Sequence, residues 1–166
     1  MKTGIQCTPA ELEQVINTYG KMVYRLAYSH TRSEANADDI YQDVFLSYFQ
    51  KRPEFESEEH RRAWLLRVTV NRAKTLLNSA WFRHTAPLEE CVAVFDPQER
   101  KLDDALRQLN SMDRTVLHLF YYEEMSVREI AVLLKRKEST VRTRLTRARR
   151  KLAEIVKGEQ YAENGI

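Results

Sequence analysis

The chain has 166 residues, 43% hydrophobic and 31% charged, with a net charge of +3. That balance excludes a disordered polymer and fits a soluble globular protein of one medium domain or two small ones. No apolar run approaches the roughly 18–20 residues that cross a bilayer, the N-terminus lacks the apolar core of a signal peptide, and Cys7 and Cys91 share no ligand or disulfide spacing. A cytoplasmic protein with reduced thiols, no metal and no membrane insertion is expected.

Only four glycines and four prolines are present. Strand-rich folds need frequent turn residues, so an all-α fold is predicted. A first helix over 9–30 is opened by Thr8-Pro9-Ala10-Glu11: a capping side chain, proline in the first turn, then an acid at the third position. A second follows over 34–51. Ser57 caps a third over 58–82. The helical period then fades between Ser79 and Asp96, and His84-Thr85-Ala86-Pro87 breaks it. Residues 81–97 therefore read as a short linker between a domain over 8–80 and one over 98–156. Asp96-Pro97-Gln98-Glu99 repeats the opening grammar for a helix over 98–110, Ser111 caps one over 112–122, and Ser126-Val127-Arg128-Glu129 is a capping box for 126–134. The last helix spans 138–156, and 157–166 is a polar tail expected to fray.

The final helix pair carries the strongest signal. From Lys135 to Lys151 nine basic residues face one acid, Glu138, a local charge of +8 that leaves the rest of the chain at −5. Such segregation is expected when one end meets a polyanion and the other a different partner. Val141, Leu145, Ala148 and Leu152 recur at i, i+4, i+7 and i+11 and predict one buried face. Opposite stand Ser139, Thr143, Thr146 and Arg150, flanked by Arg142 and Arg147. Short hydroxyls allow close approach to a DNA groove, and arginines reach phosphates or guanine edges. Two short helices with a basic outer face on the second are the physical content of a helix-turn-helix. The bland alternative is a solvated basic helix packed on something else.

The segments 123–134 (Glu-Glu-Met-Ser-Val-Arg-Glu-Ile-Ala-Val-Leu-Leu) and 139–152 (Ser-Thr-Val-Arg-Thr-Arg-Leu-Thr-Arg-Ala-Arg-Arg-Lys-Leu) closely resemble the promoter-reading domain of extracytoplasmic-function (ECF) sigma factors. The resemblance implies that the helix from Glu138 reads the upstream (−35) element, through Ser139, Thr140, Arg142, Thr143, Arg144, Thr146, Arg147 and Arg150. The family's turn commonly carries glycine and then an apolar residue, whereas Lys135 and Arg136 stand there in this chain. Lysine in a left-handed position costs about 1 kcal/mol relative to glycine.

On the helix 34–51, Ile40, Val44 and Tyr48 mark the core side, widened by Tyr41, Phe45 and Phe49. The other face holds Asp39, Gln42, Asp43, Leu46 and Gln50, and a leucine among carboxylates and amides suggests a contact surface. A single exposed leucine is also ordinary. The stretch from Ala37 to Leu46 resembles the sigma segment that docks on the clamp helices of the polymerase largest subunit, which implies Asp39, Gln42, Asp43 and Leu46 as polymerase-facing residues. Along 58–82 the apolar side is Leu65, Leu66, Thr69, Val70, Ala73 and Leu77. The other side shows Arg67, Asn71, Lys74 and Asn78, with Arg61, Trp64, Val68 and Arg72 at its edge; cations beside an aromatic and amides suit single-stranded DNA. Trp64 packed against the first helix is the alternative. The stretch from Arg62 to Asn71 again resembles sigma factors, and implies recognition of the melted downstream (−10) element by Arg61, Arg62, Trp64, Arg67, Asn71 and Lys74, with Lys51 to His60 as the loop that captures a flipped base.

The implied mechanism is recruitment of core RNA polymerase to promoter DNA, with no cofactor and no catalysis, under the control of an anti-sigma factor as is common in the family. Two competitors remain at this point. A helix-turn-helix regulator that never joins polymerase would bind duplex DNA alone. An all-helical metal hydrolase would use Glu34, Asp38, Asp39 and Asp43, although no Glu-x-x-His partner accompanies them and the four histidines are scattered.

Overall fold

The structure, a computed structural model, describes the backbone of residues 7–79 and 97–163 and the side chains of 7–79 and 102–158. Seven helices, and no strands, occur among the described residues, and the chain forms two compact units divided between Leu88 and Glu89. The linker predicted over 81–97 lies almost wholly outside the described residues, as does Cys91.

The first unit holds α1 (Pro9–Thr31), α2 (Glu34–Lys51) and α3 (Glu58–Asn78). Each begins where a short polar side chain accepts an otherwise orphaned amide N–H. Thr8 and Glu11 form the predicted capping box, Ser33 accepts from the Asn36 amide, and Ser57 accepts from the His60 amide. Arg32 and Arg52 end α1 and α2 in left-handed conformation, their N–H groups donating to the carbonyls of Tyr28 and Tyr48. The third helix stops at Asn78, short of the predicted 82. Ser79 is extended and its hydroxyl donates to the Leu76 carbonyl, a local bond that competes with continuing the helix. The core joins Val23 and Ala27 of α1, Ile40 and Val44 of α2, and Leu65 and Ala73 of α3. Gly20 permits close approach here, since a Cβ would stand 3.0 Å from the Tyr41 hydroxyl.

The second unit holds α4 (Pro97–Arg107), α5 (Ser111–Tyr121), α6 (Val127–Leu134) and α7 (Glu138–Glu163). Asn110, not Ser111, caps α5: its side-chain oxygen accepts from the Asp113 amide at 2.9 Å, three residues on, which leaves Ser111 as the first helical residue. Buried Arg114 donates to the carbonyls of Leu106 and Leu109 and so satisfies the chain leaving α4. Ile130, Leu133 and Leu134 of α6 and Val141, Leu145 and Ala148 of α7 fill the core with Val116 and Leu119 of α5. Each valine, leucine or isoleucine among them contributes about 1.5–3 kcal/mol by leaving water. The helix predicted to end near 156 continues to Glu163, through the segment expected to fray. Gly158 is the sole helix-weakening residue there, and one exposed glycine costs only about 1 kcal/mol.

The turn between α6 and α7 keeps left-handed geometry despite its lysine. Lys135 sits at φ 53°, ψ 49°; its N–H donates to Val132, and the Arg136 N–H reaches back to Ala131 at 2.9 Å. These two bonds are the Schellman pattern. Replacing Lys135 with glycine is therefore expected to stabilise the second unit by up to about 1 kcal/mol, raising its melting midpoint by about 4–8 °C. Thermal unfolding followed by circular dichroism checks this, and an unchanged or lowered midpoint would show that the lysine is not strained.

Candidate functional site

In the first unit α2 separates two faces cleanly. Ile40, Val44 and Tyr48 are buried, as predicted, while Asp39, Gln42, Asp43, Leu46 and Gln50 are all exposed. Leu46 shows 54% of its surface to solvent, one of few large apolar side chains that do. A leucine kept in water beside carboxylates and amides offers a partner both burial and charge.

The third helix is less uniform. Asn71, Arg72 and Asn78 are exposed, whereas Arg61, Arg62, Trp64, Arg67 and Lys74 are half-buried. Trp64 meets Tyr48 and Phe55 edge to face, with ring centroids 5.8 and 5.9 Å apart. It thus packs on α2 and the 52–57 loop, against a core that α1 also lines. Phe55 is the residue that sequence reasoning missed. Its ring stacks on Tyr48 at 6.1 Å, lies 5.4 Å from the His60 ring, and carries the Arg61 guanidinium at 5.4 Å. Nothing in the local pattern marks a loop phenylalanine as the clasp between loop and helices. Arg61 is also tied to Glu58 at 2.5 Å, and the other Glu58 oxygen accepts from the Tyr19 hydroxyl at 2.6 Å. Burial and that bond raise the Tyr19 pKa, so the hydroxyl keeps its proton at neutral pH. Beneath the loop lies a cavity of about 810 Å³, lined in part by Tyr19, Tyr48, Phe55 and Arg61. Cys7 borders it, and burial followed by the nearby Glu11 carboxylate pushes its thiol pKa up.

In the second unit α7 presents Ser139, Thr140, Arg142, Thr143, Thr146, Arg147 and Arg150 to solvent, and buries Val141, Leu145 and Ala148. Arg144 departs from the expected surface. Its guanidinium pairs with Asp113 of α5 at 2.8 Å. The reason is angular: at about 100° per residue it falls beside the buried stripe, not opposite it. Among the described residues no three histidine, cysteine, aspartate or glutamate side chains converge as metal ligands would. No described helix is long and apolar enough to cross a membrane.

Two family models match in the order of the two units. Residues 15–83 match sigma-70 region 2, and residues 99–152 match sigma-70 region 4. The chain is 30% identical over 157 residues to the ECF RNA polymerase sigma factor SigL of Mycobacterium tuberculosis, covering 86% of this chain and 87% of that protein. The chain belongs to the ECF sigma factors. The ECF sigma factor SigM of M. tuberculosis is 29% identical over 93% of this chain and 80% of its own length. The sigma factor NccH of Alcaligenes xylosoxydans is 26% identical over 89% of this chain and 87% of its own. Two solved structures share the fold. The sigma factor RpoE, in complex with the anti-sigma factor NepR from Bartonella quintana, superposes with a TM-score of 0.71 at 21% identity, over 89% of this chain and 97% of RpoE. CnrH, in complex with the cytosolic domain of CnrY, gives 0.67 at 24%, over 91% of this chain and 90% of CnrH. An ECF sigma factor joins RNA polymerase and directs it to promoters, so the reading as a regulator outside polymerase falls away. The relatives are transcription factors, not enzymes.

Proposed function

We propose that the domain over 8–80 holds core polymerase through Asp39, Gln42, Asp43 and Leu46. The observation that supports this most is the exposure of all four on one face of α2, with Leu46 among the acids. In the same domain Arg62, Arg67, Asn71 and Lys74 track the melted −10 strand, with Arg61 and Trp64 shaping the loop that receives a base. The domain over 98–156 docks α7 at the −35 element. There Arg142, Arg147 and Arg150 supply salt-dependent affinity, while Ser139, Thr140, Thr143 and Thr146 tune sequence choice. The protein acts by recruitment and needs no cofactor. It works in the cytoplasm, where an anti-sigma factor holds it inactive, by analogy with the complexes of RpoE and CnrH.

The test is in vitro transcription from a promoter library with core polymerase, with and without the protein. Protein-dependent starts that share an upstream and a downstream element are the expected result. Duplex binding by the protein alone, without new starts, would defeat the assignment of the first domain.

A further inference from the structure

The nine cations between Lys135 and Lys151 look equivalent in the sequence, but two of those on α7 bond to side chains of α5. Arg144 and Arg149 fall on opposite flanks of the stripe formed by Val141, Leu145 and Ala148. Arg144 meets the Asp113 carboxylate at 2.8 Å, their side chains 28% and 13% exposed. The Arg149 Nε donates to the Tyr121 hydroxyl at 2.7 Å, and its guanidinium lies 5.0 Å from the Phe120 ring centre and 5.4 Å from that of Tyr121. Asp113 lies in the first turn of α5 and Tyr121 is its last residue, about 12 Å apart along the axis. An apolar stripe resists separation of two helices but resists rolling weakly, because apolar contact is non-directional. Directional bonds on both flanks oppose a roll in either sense.

We propose that Arg144 and Arg149 are positioning residues that fix the rotation of α7 on α5. They set the angle at which Arg142, Thr143 and Arg147 meet promoter DNA, without contacting DNA themselves. The proposal rests on the reading of α7 as the −35 helix.

The test uses holoenzyme carrying Arg144→Gln, Asp113→Asn, both together, or Arg142→Gln as reference. Promoter binding is measured against salt, on a promoter from the library experiment and on the same promoter with a scrambled −35 element. Arg144→Gln and Asp113→Asn should each cut the preference for the intact element about three- to tenfold, and the pair should be no worse than either alone. Their salt slopes should match wild type, whereas Arg142→Gln should lower the slope by about 0.9. If Arg144→Gln lowers the slope as Arg142→Gln does and Asp113→Asn is silent, Arg144 is a phosphate contact and the proposal is wrong. If no variant moves slope or preference, the −35 reading of α7 itself fails and the proposal falls with it. Should a single substitution unfold the second unit, the exchange Asp113→Arg with Arg144→Asp decides. Restored preference supports the positioning role, and a folded exchange variant without it overturns that role.

Discussion

Reversing the charge of Asp43 to arginine is expected to abolish association with core polymerase while leaving the fold intact. Asp43 is exposed on α2, one turn from Asp39 and from Leu46, on the side away from buried Ile40 and Val44. No core contact is disturbed, so stability should change by less than about 0.5 kcal/mol. Against a basic partner surface, however, the substitution replaces attraction by like-charge repulsion worth several kcal/mol. A loss of about 100-fold or more in affinity follows, and protein-dependent transcription disappears with it. Fluorescence anisotropy of labelled protein titrated with core polymerase measures the first effect, and circular dichroism verifies the fold. Retained wild-type affinity would place the polymerase contact elsewhere than on this face of α2.

Truncating Leu145 to alanine should have the largest effect on stability. Leu145 is buried in the core of the second unit, on the face of α7 that meets α5 and α6. Removing a buried leucine costs about 2–5 kcal/mol, from lost transfer energy and the cavity left behind. A unit this small has only a few kcal/mol in total, so it should be largely unfolded at 37 °C. Because the chain forms two units with separate cores, the first should melt as in the wild type. Differential scanning calorimetry distinguishes the cases. One transition lost and one unchanged is the expected trace. A joint shift of all transitions would mean that the two units unfold as one.

Much of the architecture was legible because helix starts are short-range events. The capping boxes at Thr8 and Ser126 and the cap at Ser57 act over three residues, a distance that the sequence displays directly. The same holds for faces. On α2 the apolar spacing separated buried Ile40, Val44 and Tyr48 from the exposed face, since one helix turn sets which side chains share a face. On α7 it found Val141, Leu145 and Ala148, though Leu152 is only half-buried and Arg144 leaves the exposed face. Resemblance to ECF sigma factors then supplied a role that spacing could not. Where two neighbouring residues both cap well, as at Asn110 and Ser111, local chemistry does not choose between them, and the choice fell on the asparagine. The end of α7 was misjudged for a related reason: a polar composition forbids burial, but it does not forbid a helix.

By itself, then, the sequence determined the seven helices of the described residues, the two faces of α2 and the helix-turn-helix, all through interactions spanning a turn or two of one helix. Only the tertiary structure decided which side chains bond across elements. Arg144 finds Asp113 across 31 residues, Arg149 finds Tyr121 across 28, and Tyr19 finds Glu58 across 39. Phe55 likewise gains its place from Tyr48 and Trp64 on two different helices. The physical reason is common to all four. Whether on a helix or in a loop, such a side chain can turn more than one way, and the group that settles it belongs to another element, brought near only when the core closes.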